Sequence, residues 1–411
     1  MANPGLLGSA TYEVESTWGE DVDTTTTLRI PSIGAIDVSG LVHKKVNPNR
    51  TQQTMQGGDG WILGTQEGQF TIKSYLMGRG STTAGAHAIS TYESYLGKVI
   101  GNATQVASAG TTLTGGTANI PLTTASGTFA PGALAFVGAL GDTDGEGQAY
   151  AISTHSGTSL TLLTDLRGAP VNGAVLYSGT MLYPVETATS SAVTGHRFLL
   201  QTANLQYLCH GCYPLSYTIS GLNPGELPTI DVTWGVSWWE YKASTFPNTT
   251  ATDSANPAAT AAGSLYVNTV GTTTNSAGAA CRVYRSFSLE CTIGMEVLRG
   301  PGGVNAYQDI VGARRTPNQY KVTWTEDADA ATTTPVIPGY GTATSSKHIL
   351  LTCSTADGSR IAMYFPKVCP DVVAIQKMDQ NLNRVTFSGM AYSSAVTTSD
   401  LTLSAWRMLS A

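Results

Sequence analysis

Between Arg197 and Trp239 the chain alternates apolar and polar residues for long enough to dictate β structure. Tyr217, Ile219 and Gly221 fall on every second position, and Ile230, Val232 and Trp234 do so again. A period of two puts each set on one face of a strand, and that face has to be covered. The run is expected to form three consecutive antiparallel strands. A Gly211-Cys212 corner and the turn Leu222-Asn223-Pro224-Gly225-Glu226 are expected to reverse the chain, with Pro fixing φ and Gly supplying a positive one.

Composition extends the same expectation to the whole molecule. Charged residues make up 12% of the 411, Gly numbers 45, and the hydrophobic share is 41%. That is enough apolar material for a sizeable core in two or three domains, in a profile of many short strands and tight turns. The expected fold class is mainly β. With 22 basic against 28 acidic residues, a net charge of −6, the chain lacks the clustered cations that grip phosphate. No basic segment followed by an apolar run opens the sequence, and no stretch approaches the ~20 apolar residues of a membrane span. Cytoplasmic synthesis and assembly, with no membrane partner, are therefore expected. The six cysteines, Cys209, Cys212, Cys281, Cys291, Cys353 and Cys369, are too dilute for a disulfide scaffold and read as reduced, buried thiols.

Along the chain, residues 68–76 alternate Phe70, Ile72 and Ser74 as a strand does, ahead of a Gly78-Arg79-Gly80 corner. Residues 89–100 place Ile89, Tyr92, Leu96, Val99 and Ile100 at helical spacing, with Ser90 or Thr91 available as cap. Residues 102–183 are charge-poor and read as an inserted small β-barrel or sandwich, and 244–280 as a long Thr/Ala/Ser-rich loop or linker with a possible strand at Leu265-Tyr266-Val267. The final third offers strands at 282–290, 319–324, 349–353, 361–366 and 384–392, and a short helix at 305–313. The expected division is a first module of 1–101 with 184–243, the insert 102–183, the linker 244–280, and 281–411 as a second module or the completion of the first. The recurring order of elements suggests internal duplication, with slight residue identity between the halves.

Motifs that carry chemistry are sparse. Cys209-His210-Gly211-Cys212 has the spacing of a zinc knuckle or redox pair but lacks a second pair of ligands, which favours a buried turn. Asp142, Asp144 and Glu146 alternate as in a calcium loop, yet Ser153 stands where the closing Glu is required, which favours a solvated hairpin tip. The basic clusters, Arg314-Arg315 with Lys321 and Lys44-Lys45 with Arg50, are too small for a nucleic-acid surface and suit contacts with solvent or a neighbouring subunit. Trp234, Trp238 and Trp239 read as core or interface residues ahead of sugar platforms. His43, His87, His155, His196, His210 and His348 sit in unrelated contexts, and no nucleophile elbow or phosphate loop occurs. No catalytic, cofactor or metal residue is assigned.

The strand, Gly-Glu-x-Pro turn and aromatic strand from His210 to Trp238, the segment Gly68 to Gly80 before a helix, and the terminal run Asp357-Gly358 to Pro366 to Gly389 together resemble the tail tube (major tail) proteins of long-tailed bacteriophages. The likeness covers about two thirds of the chain by loose motifs. It implies tail-tube-type β-sandwich or barrel modules with one flanking helix each, and a virion protein assembled in the host cytoplasm. It implies rings of six copies, or of three if each chain holds two modules, stacked into a hollow tube. Its partners would be other copies, a tape measure and a terminator protein, and DNA would pass without specific binding. The insert 102–183 has no place in the minimal pattern and would decorate the outside. Rival readings are a carbohydrate-binding or adhesive β module, a capsid decoration protein, and a glycan-cleaving enzyme using carboxylates such as Glu226 or Asp231.

Overall fold

The computed structural model describes residues 9–19, 28–46, 62–77, 89–105, 113–117, 120–123, 129–138, 148–163, 175–177, 179–185, 191–202, 205–223, 225–241, 264–269, 281–282, 284–300, 308–329, 346–354, 360–377, 382–393 and 404–410. The fold is mainly β. First come β1 (Ser9–Val14), β2 (Leu28–Ile30), β3 (Val42–Val46) and β4 (Ile62–Tyr75), then the helix α1 (Thr91–Ile100) and β5 (Gly101–Gln105). A separate six-stranded sheet follows, made of β6 (Leu113–Thr117), β7 (Ile120–Thr123), β8 (Leu134–Gly138), β9 (Gln148–Ser156), β10 (Ser159–Leu162) and β11 (Val175–Tyr177). The chain returns through β12 (Thr180–Pro184), β13 (Ser191–Ala192), β14 (His196–Gln201), β15 (Gln206–Ser220), β16 (Thr229–Val236) and β17 (Trp238–Tyr241). It ends with β18 (Ser264–Thr269), β19 (Cys281–Arg282), β20 (Tyr284–Arg299), β21 (Ile310–Asp329), β22 (Lys347–Ser354), β23 (Arg360–Lys377), β24 (Leu382–Ala391) and β25 (Arg407–Ser410).

Eight strands form the spine in the antiparallel order β3-β4-β16-β15-β20-β21-β24-β23. Two shorter sheets lie over one face of it, β2-β1-β14-β15-β17 and β19-β18-β22-β23-β25-β12-β5. β15 and β23 serve in both layers because each bends midway. In β15 the bend falls at Gly211, whose φ is +56° and whose carbonyl accepts from Ser237 Oγ at 2.9 Å. Gly211-Cys212 therefore kinks one continuous strand and does not reverse the chain as the sequence suggested: a bulge between sheets looks locally like a corner. The reversal at 222–226 is as expected, with Gly225 at φ +86° and Glu226 N donating to Asn223 O at 3.0 Å.

The two halves repeat one another in topology. Each of seven antiparallel pairings in the first half has a counterpart in the second: β1–β2 and β18–β19, β1–β14 and β18–β22, β14–β15 and β22–β23, β15–β16 and β23–β24, β15–β17 and β23–β25, β16–β4 and β24–β21, β3–β4 and β20–β21. The registers coincide when Pro214 is set on Pro370. His196 and Phe198 then face Cys212 and Cys209 across one bulge, just as Lys347 and Ile349 face Val368 and Phe365. A second bulge follows Pro214 in β15 and Pro370 in β23 alike. The halves meet where β15 pairs with β20, Ser216 opposite Thr292 through Ile219 opposite Leu289.

α1 rests on the first half. Its capping box is complete, Ser90 Oγ accepting from Glu93 N at 3.0 Å and Glu93 Oε2 from Ser90 N at 2.8 Å. Tyr92, Tyr95, Leu96, Val99 and Ile100 are buried, whereas Ile89 precedes the cap and is exposed. Of the helix expected at 305–313, the described residues 308–313 form none. Residues 301–307 lie outside the described ones, Gln308 and Asp309 are irregular, and Ile310 opens β21. The spacing misled because a bulge at Val311 in β21, opposite Leu298 and Arg299, lets Ile310 and Ala313, three apart, bury on one side against Tyr213. Among the described residues the second half has no counterpart of α1, and the equivalent position, 330–345, lies outside them.

The core between spine and cover is dominated by rings. Trp234 lies 4.7 Å from Phe198, 6.1 Å from Tyr95 and 6.4 Å from Tyr12, centroid to centroid, and in the second half Phe287 lies 5.7 Å from Phe365. Rings at these separations attract beyond their area burial. The six-stranded insert packs on the other side of the covering sheet. Phe129, Phe136, Tyr150 and Ile152 join Leu350, Tyr364, Leu409 and Tyr183 in one cluster. Arg407, nearly fully buried, donates from Nη1 to Gly132 O at 2.5 Å. With both faces covered, β25 and β12 are buried at every position. Leu265, within the expected linker, is a fully buried member of β18; its neighbours 244–263 and 270–280 lie outside the described residues.

Candidate functional site: a hydroxyl-lined sheet face

The spine has a second face, turned away from the core, and β4, β16, β15, β20, β21 and β24 contribute to it by alternation. Where Phe70, Ile72, Tyr217, Ile219, Val322 and Phe387 point inward, Thr71, Lys73, Thr218, Ser220, Thr323 and Ser388 stand on the opposite side, half-buried or exposed. Hydroxyls from adjacent strands meet in a ladder. Thr71 and Thr233 are 3.1 Å apart, Ser220 and Thr229 3.1 Å, Thr325 and Thr386 3.0 Å, and Thr323 donates to Ser388 at 3.5 Å. Such pairs stabilise neighbouring strands by ~0.2–1 kcal/mol each and place short uncharged groups at the surface.

Charge on this face is compensated locally. Lys73 Nζ lies 3.7 Å from Asp231 Oδ2, and Lys321 Nζ lies 3.7 Å from Glu290 Oε2. Partial burial raises the Asp231 carboxyl above its usual range, and the ammonium of Lys73 pulls it back down. Both couples are open to water, so they contribute little to stability. Their effect is on the surface potential, since each ammonium carries its own counterion. The face crosses the junction between halves without a break, Thr218 opposite Glu290 and Ser216 opposite Thr292.

Behind the kink of β15 sits a buried polar knot. Glu15 accepts from Gly211 N at 2.9 Å and from Gly19 N at 2.8 Å, and the His210 ring lies 3.8 Å from its Oε1. Burial pushes the Glu15 carboxyl up to about 7, against the downward pull of the two amides and of Arg197. Arg197 is ion-paired with Glu13. His210 stacks flat on Trp238, 3.9 Å between centroids at 5°. Trp18 Nε1 donates to Ser237 Oγ at 3.1 Å and Trp238 Nε1 to Gly19 O at 3.1 Å. These contacts fix the kink by which β15 passes from one layer to the other.

Residues singled out in the sequence are distributed accordingly. Cys209 and Cys212 are buried, and burial pushes both thiols well above their ordinary range. Among the described residues no group of three or more His, Cys, Asp and Glu gathers to hold a metal. Asp142, Asp144 and Glu146 lie outside the described residues, as do His87 and Gly78-Arg79-Gly80. Arg315 Nη2 donates to Lys98 O at 3.1 Å, Arg314 lies opposite Glu296, and Arg50 is outside the described residues. Trp234, Trp238 and Trp239 are buried. Glu226 is exposed and accepts from Asn223 Nδ2 at 2.6 Å, and Asp231 belongs to the hydroxyl face. His43 is bonded to Gln66, His155 to Phe129 N, and His196 to the Tyr12 hydroxyl at 3.1 Å. The hydroxyl face itself was missed by sequence reasoning, although Thr and Ser at alternate positions of its six strands were its signal.

No protein-family model matches the chain, and a search of the curated proteins returns no match.

Proposed function

We propose that this is a non-enzymatic structural protein whose copies close into rings that stack as the tube of a bacteriophage tail, a conduit for genomic DNA. The observation that carries this reading is the spine: two repeated halves joined edge to edge into one eight-strand sheet, with a hydroxyl-lined face on the side away from the core. Such a face suits a bore. Hydroxyls offer a sliding polyanion only weak contacts, and Lys73 and Lys321 stand beside carboxylates, so few counterions are released on approach and little affinity is gained. The insert lies on the opposite side of the molecule and would stand outside such a tube. Two halves per chain favour three chains per ring over six.

Negative-stain microscopy of the concentrated protein tests this. Hollow rods or rings are expected; discrete globular monomers at every concentration would overturn the reading. In the virion the rings would contact a tape measure and a terminator protein, and antibody raised against this chain should label the tail shaft.

A further inference from the structure

Within the chain, one half is joined to the other by β15 pairing with β20. The repeated topology says which strands hold the corresponding places at the two ends of the spine. β23 corresponds to β15, so Val372 takes the place of Ser216. β3 corresponds to β20 and pairs with β4 as β20 pairs with β21: Val42 lies opposite Glu67 as Thr292 lies opposite Gln319. Among the described residues β3 has β4 as its one strand partner, and the stretch of β23 from Val372 to Lys377 has β24 as its one strand partner. The two ends of the spine are thus the two sides of a joint already made once inside the molecule.

Resting on the self-assembly reading above, we propose that copies join head to tail through these ends, β3 of one copy pairing antiparallel with the second half of β23 in the next, Val42 opposite Val372. The occupant of each edge is a second copy of this chain. Residue chemistry at the ends agrees. Inside the chain the paired positions are Ser216 and Thr292. At the ends they are two valines, of which Val42 is 54% exposed despite its apolar side chain. β23 continues Val372-Val373-Ala374-Ile375, an uncharged apolar run on an edge strand, which natural proteins cover or break with charge when it has no partner. The joint is heterologous, since each copy contributes a different surface. Repeating it generates a closed ring or an open helix, never a twofold dimer.

Cross-linking tests the register. Directly opposed residues on antiparallel strands have Cβ atoms about 4.5–5.5 Å apart, near enough for a disulfide after a small shift. The double variant Val42→Cys with Val372→Cys, oxidised at a concentration where the wild type assembles, is expected to give a dithiothreitol-sensitive ladder on a non-reducing gel that stops at the ring size. Either single variant should give no more multimer than the wild type. A second variant, Val42→Asp, is expected to keep the wild-type melting temperature and lose at least tenfold in assembled fraction by light scattering. Rods or rings that form without a ladder, or that form undiminished in Val42→Asp, would overturn this joint while leaving the tube reading intact. Absence of assembly in the wild type at every concentration would overturn both.

Discussion

Trp234 sits at the centre of the first half's aromatic cluster, and its environment sets a measurable cost. It is fully buried, with Phe198, Tyr95, Tyr12 and His196 within 6.4 Å of its ring. Trp234→Ala should lower stability by ~3–5 kcal/mol in chemical denaturation, by lost transfer energy plus the cavity left behind. Histidine gives the molecule an acid limit. His196 is fully enclosed and held neutral, its pKa brought down to about 3 by burial, with Lys98 and Arg315 adding to the effect; His348 is brought down to about 4 by burial beside Lys347. Folded values below the unfolded ~6.5 mean that the folded state binds fewer protons. Stability from these groups is therefore whole above pH 6.5 and falls as the pH drops through 6.5 toward 4 and then 3, by up to ~1.4 kcal/mol per unit for each group. Denaturation midpoints measured from pH 8 to 4 should show this decline, and His348→Gln should flatten it above pH 4. Glu15 works the other way. Its raised value favours the acid form in the fold, so its contribution weakens between about pH 4.5 and 7 and is constant above.

At the scale of elements, legibility followed locality. The helix, its Ser90 cap and the Asn-Pro-Gly turn are written in contiguous residues, and each formed as read. The kink at Gly211 was misread because a positive φ in a strand signals a bend whether or not the chain turns back. Gly211→Ala tests its role: a Cβ there would stand 2.5 Å from Ser237 Oγ on a backbone of φ +56°. The variant should lose more than ~1 kcal/mol and weaken the Ser237 bond across the bend, whereas Gly225→Ala, in open space though also at positive φ, should lose less; thermal melts of the two compare them. What no stretch of sequence displayed was the union of β15 with β20. Its residues are hydroxylic in the interior and valine at the ends, so identity between halves is erased where the roles differ. Pro214 and Pro370 share their place, but Trp234 corresponds to Gly389. Order of pairing survived where side chains did not. The hydroxyl face was hidden for the same reason, since each strand's polar half is ordinary until strand order sets six of them side by side.

On the scale of the molecule, potential follows from a few couples. Replacing Asp231 with Asn and Glu290 with Gln together would leave Lys73 and Lys321 without their carboxylates. That double variant should retain duplex DNA on a filter at low salt and release it steeply as salt rises, by ~0.9 in log affinity per log salt for each phosphate neutralised. The wild type should retain little at either concentration; equal retention by both would deny the couples this role. The inserted sheet has a geometric corollary. Among the described residues it occurs once, docked on the second half's covering layer, while the spine repeats its pattern twice. An annulus of three molecules would then carry two different rotational orders at different radii: sixfold in projection near the axis, threefold at the rim. Averaged images of an end-on tube should lose half their angular periodicity on passing from the inner wall to the outer fringe.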